Sequence, residues 1–358
     1  MDILSITFNY SILFVFLIGL FQSLFYPWAF RNLPKENWQV MACVPGKTGE
    51  TGARDGINYT WYGFFLATAY VYGVFLFLLL MGSLVATKAA SLTLIVLVLI
   101  ICTPLSSILA RGVEGKRFTL TVGGATFAGL LLAPWLIQFL NEMPYNFLNY
   151  RFPILPTMTA MAIAHIAGEG MGRLACISFG CCYGKPVRSL PPLLGKLIGP
   201  FSVVFSGKTK KISYAHGLDG HPVVPVQAMT AVLYSATSLL GIWLFLNQVY
   251  AAAFVIVIGV SQGWRILSEF LRADYRGERI FSVYQMMSLA ALPYAIFLLF
   301  FFPQAPKGAS GIELGFKSIW SPEMILFLQG LWSIIFFYTG KSRVTAAKIL
   351  LYVVKNRI

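Results

Sequence analysis

The chain has 358 residues, of which 58% are hydrophobic and 11% charged. Soluble domains carry about 25% charged residues, so this composition excludes a soluble enzyme and points to a polytopic membrane protein with no room for a sizeable soluble domain. The formal net charge of +14 would suggest nucleic acid on a soluble protein; here the basic residues lie in loops beside apolar segments, where anionic headgroups are the expected partner, and no nucleic-acid motif accompanies them.

Nine apolar segments follow in chain order, near 7–29, 60–83, 89–110, 119–140, 153–179, 223–247, 249–271, 280–303 and 321–339. Each approaches or exceeds the roughly 20 residues that a helix needs to cross the hydrocarbon core. The expected fold class is therefore all-α, a polytopic membrane bundle of about nine transmembrane helices. The first segment lacks a basic start and a small-residue cleavage site, so it reads as a retained span rather than a signal peptide. Segment 153–179 is long and broken by glycines, and its end is expected to be re-entrant. Two connections, 31–58 and 184–222, stand out for length. The stretch Lys341–Ile358 alternates basic and apolar residues and reads as an amphipathic helix lying on the membrane surface.

Alternation of the spans assigns the loops to two sides. Of the 27 Lys and Arg residues, 21 fall on the side that holds 31–58, 111–118, 184–222, 272–279 and the C-terminal stretch. Lys88, Arg151, Lys307 and Lys317 fall on the other, and Arg173 and Arg265 lie within spans. The positive-inside rule alone puts the basic side in the cytoplasm.

The densest chemistry runs from Gly168 to Gly184, where an acid and an arginine at membrane depth precede a glycine- and cysteine-rich exit. Ionisable groups in lipid are costly and suggest function by default. His165, Glu169 and Arg173 share one face of a helix by their spacing, and Glu169 before Arg173 is the favourable order for a helical ion pair. A purely structural, self-neutralising pair is the competing reading. Arg265, Glu269 and Arg272 repeat the pattern, with Arg272 and Asp274 near the interface, where simple anchoring competes. Two arginines on separate spans could clamp an anionic group such as a phosphodiester, because each planar guanidinium donates two parallel hydrogen bonds. Gln227, in Pro225-Val226-Gln227, and the aromatics around Tyr62 are weak signals by themselves. Five cysteines form no disulfide framework, and their spacing is not that of a zinc site. Cys181 and Cys182 read as packing residues or as nucleophiles. No metal or cofactor is expected.

These blocks resemble the prolipoprotein diacylglyceryl transferase family of the bacterial inner membrane. Gly172-Arg173-Leu174-Ala175-Cys176 through Gly180-Cys181-Cys182-Tyr183-Gly184 is similar to its signature, in a G-C-C-Y-G variant. Arg265 to Asp274 resembles its second arginine block, and Ser282-Val283-Tyr284-Gln285-Met286-Met287-Ser288 its S-x-x-Q-x-x-S block. Tyr62-Gly63 and Pro225-Val226-Gln227 resemble two further blocks, all in family order. The resemblance covers about 59–303, a seven-helix core with 184–222 inserted; 1–58 adds an N-terminal helix and loop, and 304–358 a C-terminal helix and basic tail.

The resemblance implies transfer of the diacylglyceryl unit of phosphatidylglycerol to the thiol of a lipoprotein precursor. Arg173 and Arg265 would hold the phosphate, and Tyr62 would orient the lipid. The expected binding residues are Tyr62, Gly172, Gly184, Gln227, Glu269 and Arg272. Ala128 stands where the family has histidine, Cys176 and Cys181 where it has asparagine and an acid, Ser261 where it has tyrosine, and Val224 where it has histidine. His165 or Glu169 is then the candidate proton acceptor. The family orientation places the basic side outside the cytoplasm, against the charge rule, and is the orientation favoured here. A different acceptor, a lipid-binding or transport protein without catalysis, and a thiol-redox protein are the alternative functions.

Overall fold

The computed structural model describes residues 10–48, 53–114, 122–143, 148–273, 281–302 and 311–358. Asp274, Arg276 and Arg279, the basic residues Lys116, Arg117 and Lys307, and the start of the first span lie outside the described residues. The chain folds as α1 (Tyr10–Asn32), a hairpin of β1 (Val40–Thr48) and β2 (Arg54–Thr60), then α2 (Trp61–Ser83), α3 (Lys88–Glu114), α4 (Val122–Glu142) and α5 (Ile154–Phe179). After these come the short helix α6 (Pro192–Ile198), strand β3 (Val203–Val204), the short helix α7 (Lys211–His216) and strand β4 (Pro222–Val223). The last elements are α8 (Val226–Leu246), α9 (Tyr250–Leu271), α10 (Val283–Phe301), α11 (Ile312–Ile319), α12 (Pro322–Thr339) and β5 (Ala347–Ile349).

Among the described residues, eight helices are long and apolar enough to span a membrane. The 26-residue α5 is long enough too, and is less apolar because it carries His165, Glu169 and Arg173. Helices are the expected solution in lipid because they satisfy their own backbone polar groups. The fold is thus the helical membrane bundle read from the sequence.

α5 occupies the centre, packed by α2, α8, α9 and α4. Its glycines explain the position. A Cβ on Gly168 would meet the Ala69 carbonyl of α2 at 3.1 Å, and one on Gly73 of α2 would meet the Ala164 carbonyl at the same distance. Small residues of this kind let membrane helices touch along their backbones. Gly170 packs likewise against Ala231 and Ser235 of α8. These glycines do not break the helix: α5 runs unbroken to Phe179 and ends at Gly180 in a left-handed cap, so the expected re-entrant end is not found.

The long connections and the C-terminal stretch meet at one end of the bundle. β2 pairs antiparallel with β1 and with β5, so the stretch after α12 contributes a strand and not the expected amphipathic helix. The reason is an available partner: β2 has an unpaired edge after forming the hairpin, and the β-branched residues near Ile349 suit an extended chain. Lys210 is fully buried at this end and donates to the carbonyls of Leu33, at 2.9 Å, and Ser178. At the opposite end Lys88 donates to Ser321 at 2.8 Å.

Candidate functional site

Nearly three turns before its C-terminus, α5 presents Glu169 to both arginines. Arg173, one turn further along α5, donates to Glu169 Oε1, and Arg265 of α9 donates to Oε1 and Oε2 at 3.1 and 3.0 Å. The Glu169 side chain is 5% exposed, those of Arg173 and Arg265 15% and 14%. His165 Nε2 lies 3.5 Å from Glu169 Oε2 and 2.8 Å from Thr126 Oγ1 of α4. The four residues proposed from the sequence as catalytic therefore form one constellation from α5 and α9.

Its electrostatics are lopsided. Two guanidinium groups share one carboxylate, which leaves a buried positive charge in excess. The Nε atoms of Arg173 and Arg265 are buried without a hydrogen-bond partner. Charge removed from water is tolerated only when paired and hydrogen-bonded. The arrangement is built to accept an anion that can take hydrogen bonds from both arginines.

Residues that were not among the expected site residues pack beside this constellation. Thr126 fixes the His165 ring. Gly123 sits so close to Arg265 that a Cβ there would be 2.7 Å from Nη1. The Tyr234 hydroxyl of α8 donates to the Ser261 carbonyl at 3.0 Å, four residues before Arg265, which brings a phenol to the turn where the resemblance expects one on α9 itself. The sequence signals for Gly123 and Thr126 are their place in the run Gly123 to Gly129, which resembles the family's glycine-rich span, and their i, i+3 spacing on one face of α4.

The proposed binding residues lie on α2, α5, α8 and α9 and on the chain that follows α5. Tyr62, in the first turn of α2, packs its ring 5.5 Å from that of Phe179. Gln227, at the start of α8, donates to the Cys181 carbonyl at 2.9 Å. Gly184 and Arg272 form a β-bridge, and a Cβ on Gly184 would strike the Val224 carbonyl at 2.4 Å, so this glycine serves close chain packing. Gly172 faces Ala69 across the α2–α5 contact, with a virtual Cβ at 3.6 Å, away from the arginine pair. Glu269 and Arg272 end α9, where the Arg272 N–H reaches the Glu269 carbonyl at 3.4 Å. Ser282 and Gln285 form a capping box at the start of α10, and the Gln285 amide also donates to the Ile266 carbonyl at 3.0 Å. That block thus ties α10 to α9 one residue from Arg265. Ala128 and Val224 are buried, without a polar group to offer.

Beyond the arginines, the exit from α5 gathers three thiols. The Sγ atoms of Cys176, Cys181 and Cys182 all lie within 4.8 Å of one another. Their C-x4-C-C spacing gave no hint of this, because it depends on two left-handed residues, Gly180 at φ 73° and Cys182 at φ 56°.

Comparison with known proteins fits this geometry. Residues 54–301 match the family model of the prolipoprotein diacylglyceryl transferases. A relative named phosphatidylglycerol–prolipoprotein diacylglyceryl transferase, from Clostridium tetani (strain Massachusetts / E88), is 27% identical over 135 residues. That alignment covers 36% of this chain and 47% of the relative, so the chain spans about half the length of the curated protein it matches. The family match takes in both arginines, the carboxylate between them and the helices that carry them: the chain belongs to the prolipoprotein diacylglyceryl transferase family.

Proposed function

We propose that this protein is a diacylglyceryl transferase of the bacterial inner membrane, using phosphatidylglycerol as donor and the cysteine thiol of a lipoprotein precursor as acceptor. The observation that carries the reading is the pair of half-satisfied buried arginines sharing Glu169. A phosphodiester entering between them neutralises the excess charge and takes up the unused Nε–H groups. In the reaction the acceptor sulfur attacks a glycerol carbon of the donor, the carbon–oxygen bond to phosphate breaks, and glycerol phosphate leaves. Negative charge grows on the phosphate oxygens as that bond breaks, and fixed donors aimed there stabilise the transition state most.

In this reading Glu169 is the counter-charge that keeps the two arginines preorganised between turnovers, since both its oxygens are already engaged. His165 and Thr126 brace its far side. Tyr62 and Gln227 shape the mouth through which lipid and acceptor arrive. The basic end of the bundle faces outside the cytoplasm, where anionic headgroups collect on it.

Purified protein in phosphatidylglycerol-containing nanodiscs, incubated with a lipobox peptide and read by mass spectrometry, tests the proposal. The expected result is a peptide heavier by one diacylglyceryl group. A second reading has its own support: the residues at Ala128, Cys176, Cys181, Val224 and Ser261 differ from the family pattern, which favours a different acceptor. Consumption of phosphatidylglycerol with the peptide unmodified would establish that variant, and an unchanged lipid pool would sink both.

A further inference from the structure

The transfer proposed above needs the acceptor sulfur as a thiolate, and the polar constellation does not provide for this. Glu169 is committed to the arginines. His165 lies eight residues below Arg173 on α5, about 12 Å down the helix axis, while the chain leaves the helix in the opposite direction.

At that exit stand the three thiols. Cys176 is in the last turn of α5. The N–H groups of Gly180 and Cys181 both bond to the Cys176 carbonyl, at 2.9 and 3.0 Å, and this C-cap folds the chain back over it. Cys182 then adopts a left-handed conformation, φ 56°, which is uncommon outside glycine and in native proteins tends to mark functional positions. Gln227 fixes the loop by its bond to the Cys181 carbonyl. None of the three cysteines is in a disulfide, and each is partly buried. Arg173 lies within electrostatic range of Cys176 and Cys182, and Arg272 within range of Cys182.

We infer that Cys176, Cys181 and Cys182 form a three-thiolate site for a thiophilic d10 ion, zinc, with a fourth position open to the acceptor thiol. Thiolates select such ions over hard cations. Tetrahedral zinc holds sulfur at about 2.3 Å, which puts neighbouring ligand sulfurs about 3.8 Å apart. Sulfurs within 4.8 Å of one another are already close to that spacing. Three thiolates and one Zn2+ carry one net negative charge, which Arg173 and Arg272 offset. Sites with three protein ligands and an open position are the catalytic kind, and a thiol that coordinates zinc loses its proton. The acceptor S–H proton passes to solvent on coordination. The bound sulfur's electron pair then forms the S–C bond as the C–O bond to phosphate breaks, and glycerol phosphate departs with the electron pair of that C–O bond.

The inference rests on the transferase reading but is tested apart from it. Full-length protein purified from zinc-supplemented cells is expected to hold about one zinc per chain by elemental mass spectrometry. The Cys176→Ser/Cys181→Ser/Cys182→Ser variant is expected to lose it, and Cys43→Ser, remote from the site, to keep it. Cobalt exchanged into the protein is expected to show sulfur-to-metal charge-transfer absorption that shifts with a cysteine-containing lipobox peptide and not with its serine analogue. Metal content equal in wild type and the triple variant, a Cys181–Cys182 disulfide in the purified protein, or full lipid transfer after complete zinc removal would each overturn the site. The last result would leave the transferase reading standing. Zinc bound as expected with no lipid turnover would remove that reading and keep the metal site.

Discussion

Arg173 and Arg265 are not interchangeable with lysine at this position. Each engages Glu169 through Nη2 while keeping Nε–H free for a ligand, a division of donors that an ammonium group cannot copy. Arg173→Ala or Arg265→Ala is expected to lower transfer by about 10²–10³-fold, as loss of one preorganised donor does elsewhere, and the lysine variants should recover little. Glu169→Gln should leave two buried guanidiniums facing each other; a variant that folds and transfers at the wild-type rate would refute its role as counter-charge. Lys210 offers a test that does not depend on activity. Burial depresses its pKa to about 7 from 10.5, with Glu36 opposing the shift. Below pH 7 folded and unfolded chains both hold the proton, and the cost of burying the charge is fully present. Between about 7 and 10.5 the unfolded chain binds more protons, so stability rises with pH, by at most about 1.4 kcal/mol per unit. Thermal unfolding between pH 7 and 9 should therefore show a rise in Tm that Lys210→Met lacks.

At the level of elements, the features that hold the site are caps and close approaches. The capping box of Ser282 and Gln285 sets where α10 begins and, through the Gln285–Ile266 bond, how α9 presents Arg265. Ser282→Ala is expected to cost about 1 kcal/mol, seen as a lower unfolding midpoint. Gly63 sits where a Cβ would be 2.1 Å from Gly340 Cα, and Thr60 both caps α2 and donates to the Gly340 carbonyl at 2.9 Å. Gly63→Ala should consequently push the end of α12 off α2 and destabilise the protein more than Ser282→Ala does. What the sequence made legible at this scale follows from periodicity. His165, Glu169 and Arg173 lie four apart, so their convergence could be read directly, and so could the helices from apolar run length. The thiol cluster could not, because it arises from two left-handed turns that no spacing rule encodes. The C-terminal stretch misled because alternating charge suits a helix on a membrane as well as a strand on a sheet, and only the free edge of β2 decides between them.

For the whole molecule the question is orientation. The structure brings the hairpin, the buried Lys210 segment and β5 to one end, as the even number of membrane-length helices between the hairpin and the C-terminal stretch (α2, α3, α4, α5, α8, α9, α10 and α12) requires. That end carries most of the basic residues, and the arginine pair lies near it. The charge rule and the proposed function disagree about which compartment it faces. A reporter fused after Ile358 and active only outside the cytoplasm is expected to be active. Activity of a cytoplasm-only reporter instead would place the site out of reach of exported lipoprotein precursors and transfer the proposal to another acceptor.

The three-stranded sheet also imposes an order on biosynthesis. β1 and β2 emerge from the ribosome directly after α1, yet β5 emerges only after α12. Until β5 is made, the outer edge of β2 stays open, with unpaired N–H and C=O groups. That edge closes only when β5, which follows α12, pairs with it, so the sheet is completed after the helices that it ties together. Chains cut short before Ala347 leave Arg54 to Gly56 of β2 without that partner, and limited proteolysis is expected to nick them there faster than chains that carry β5.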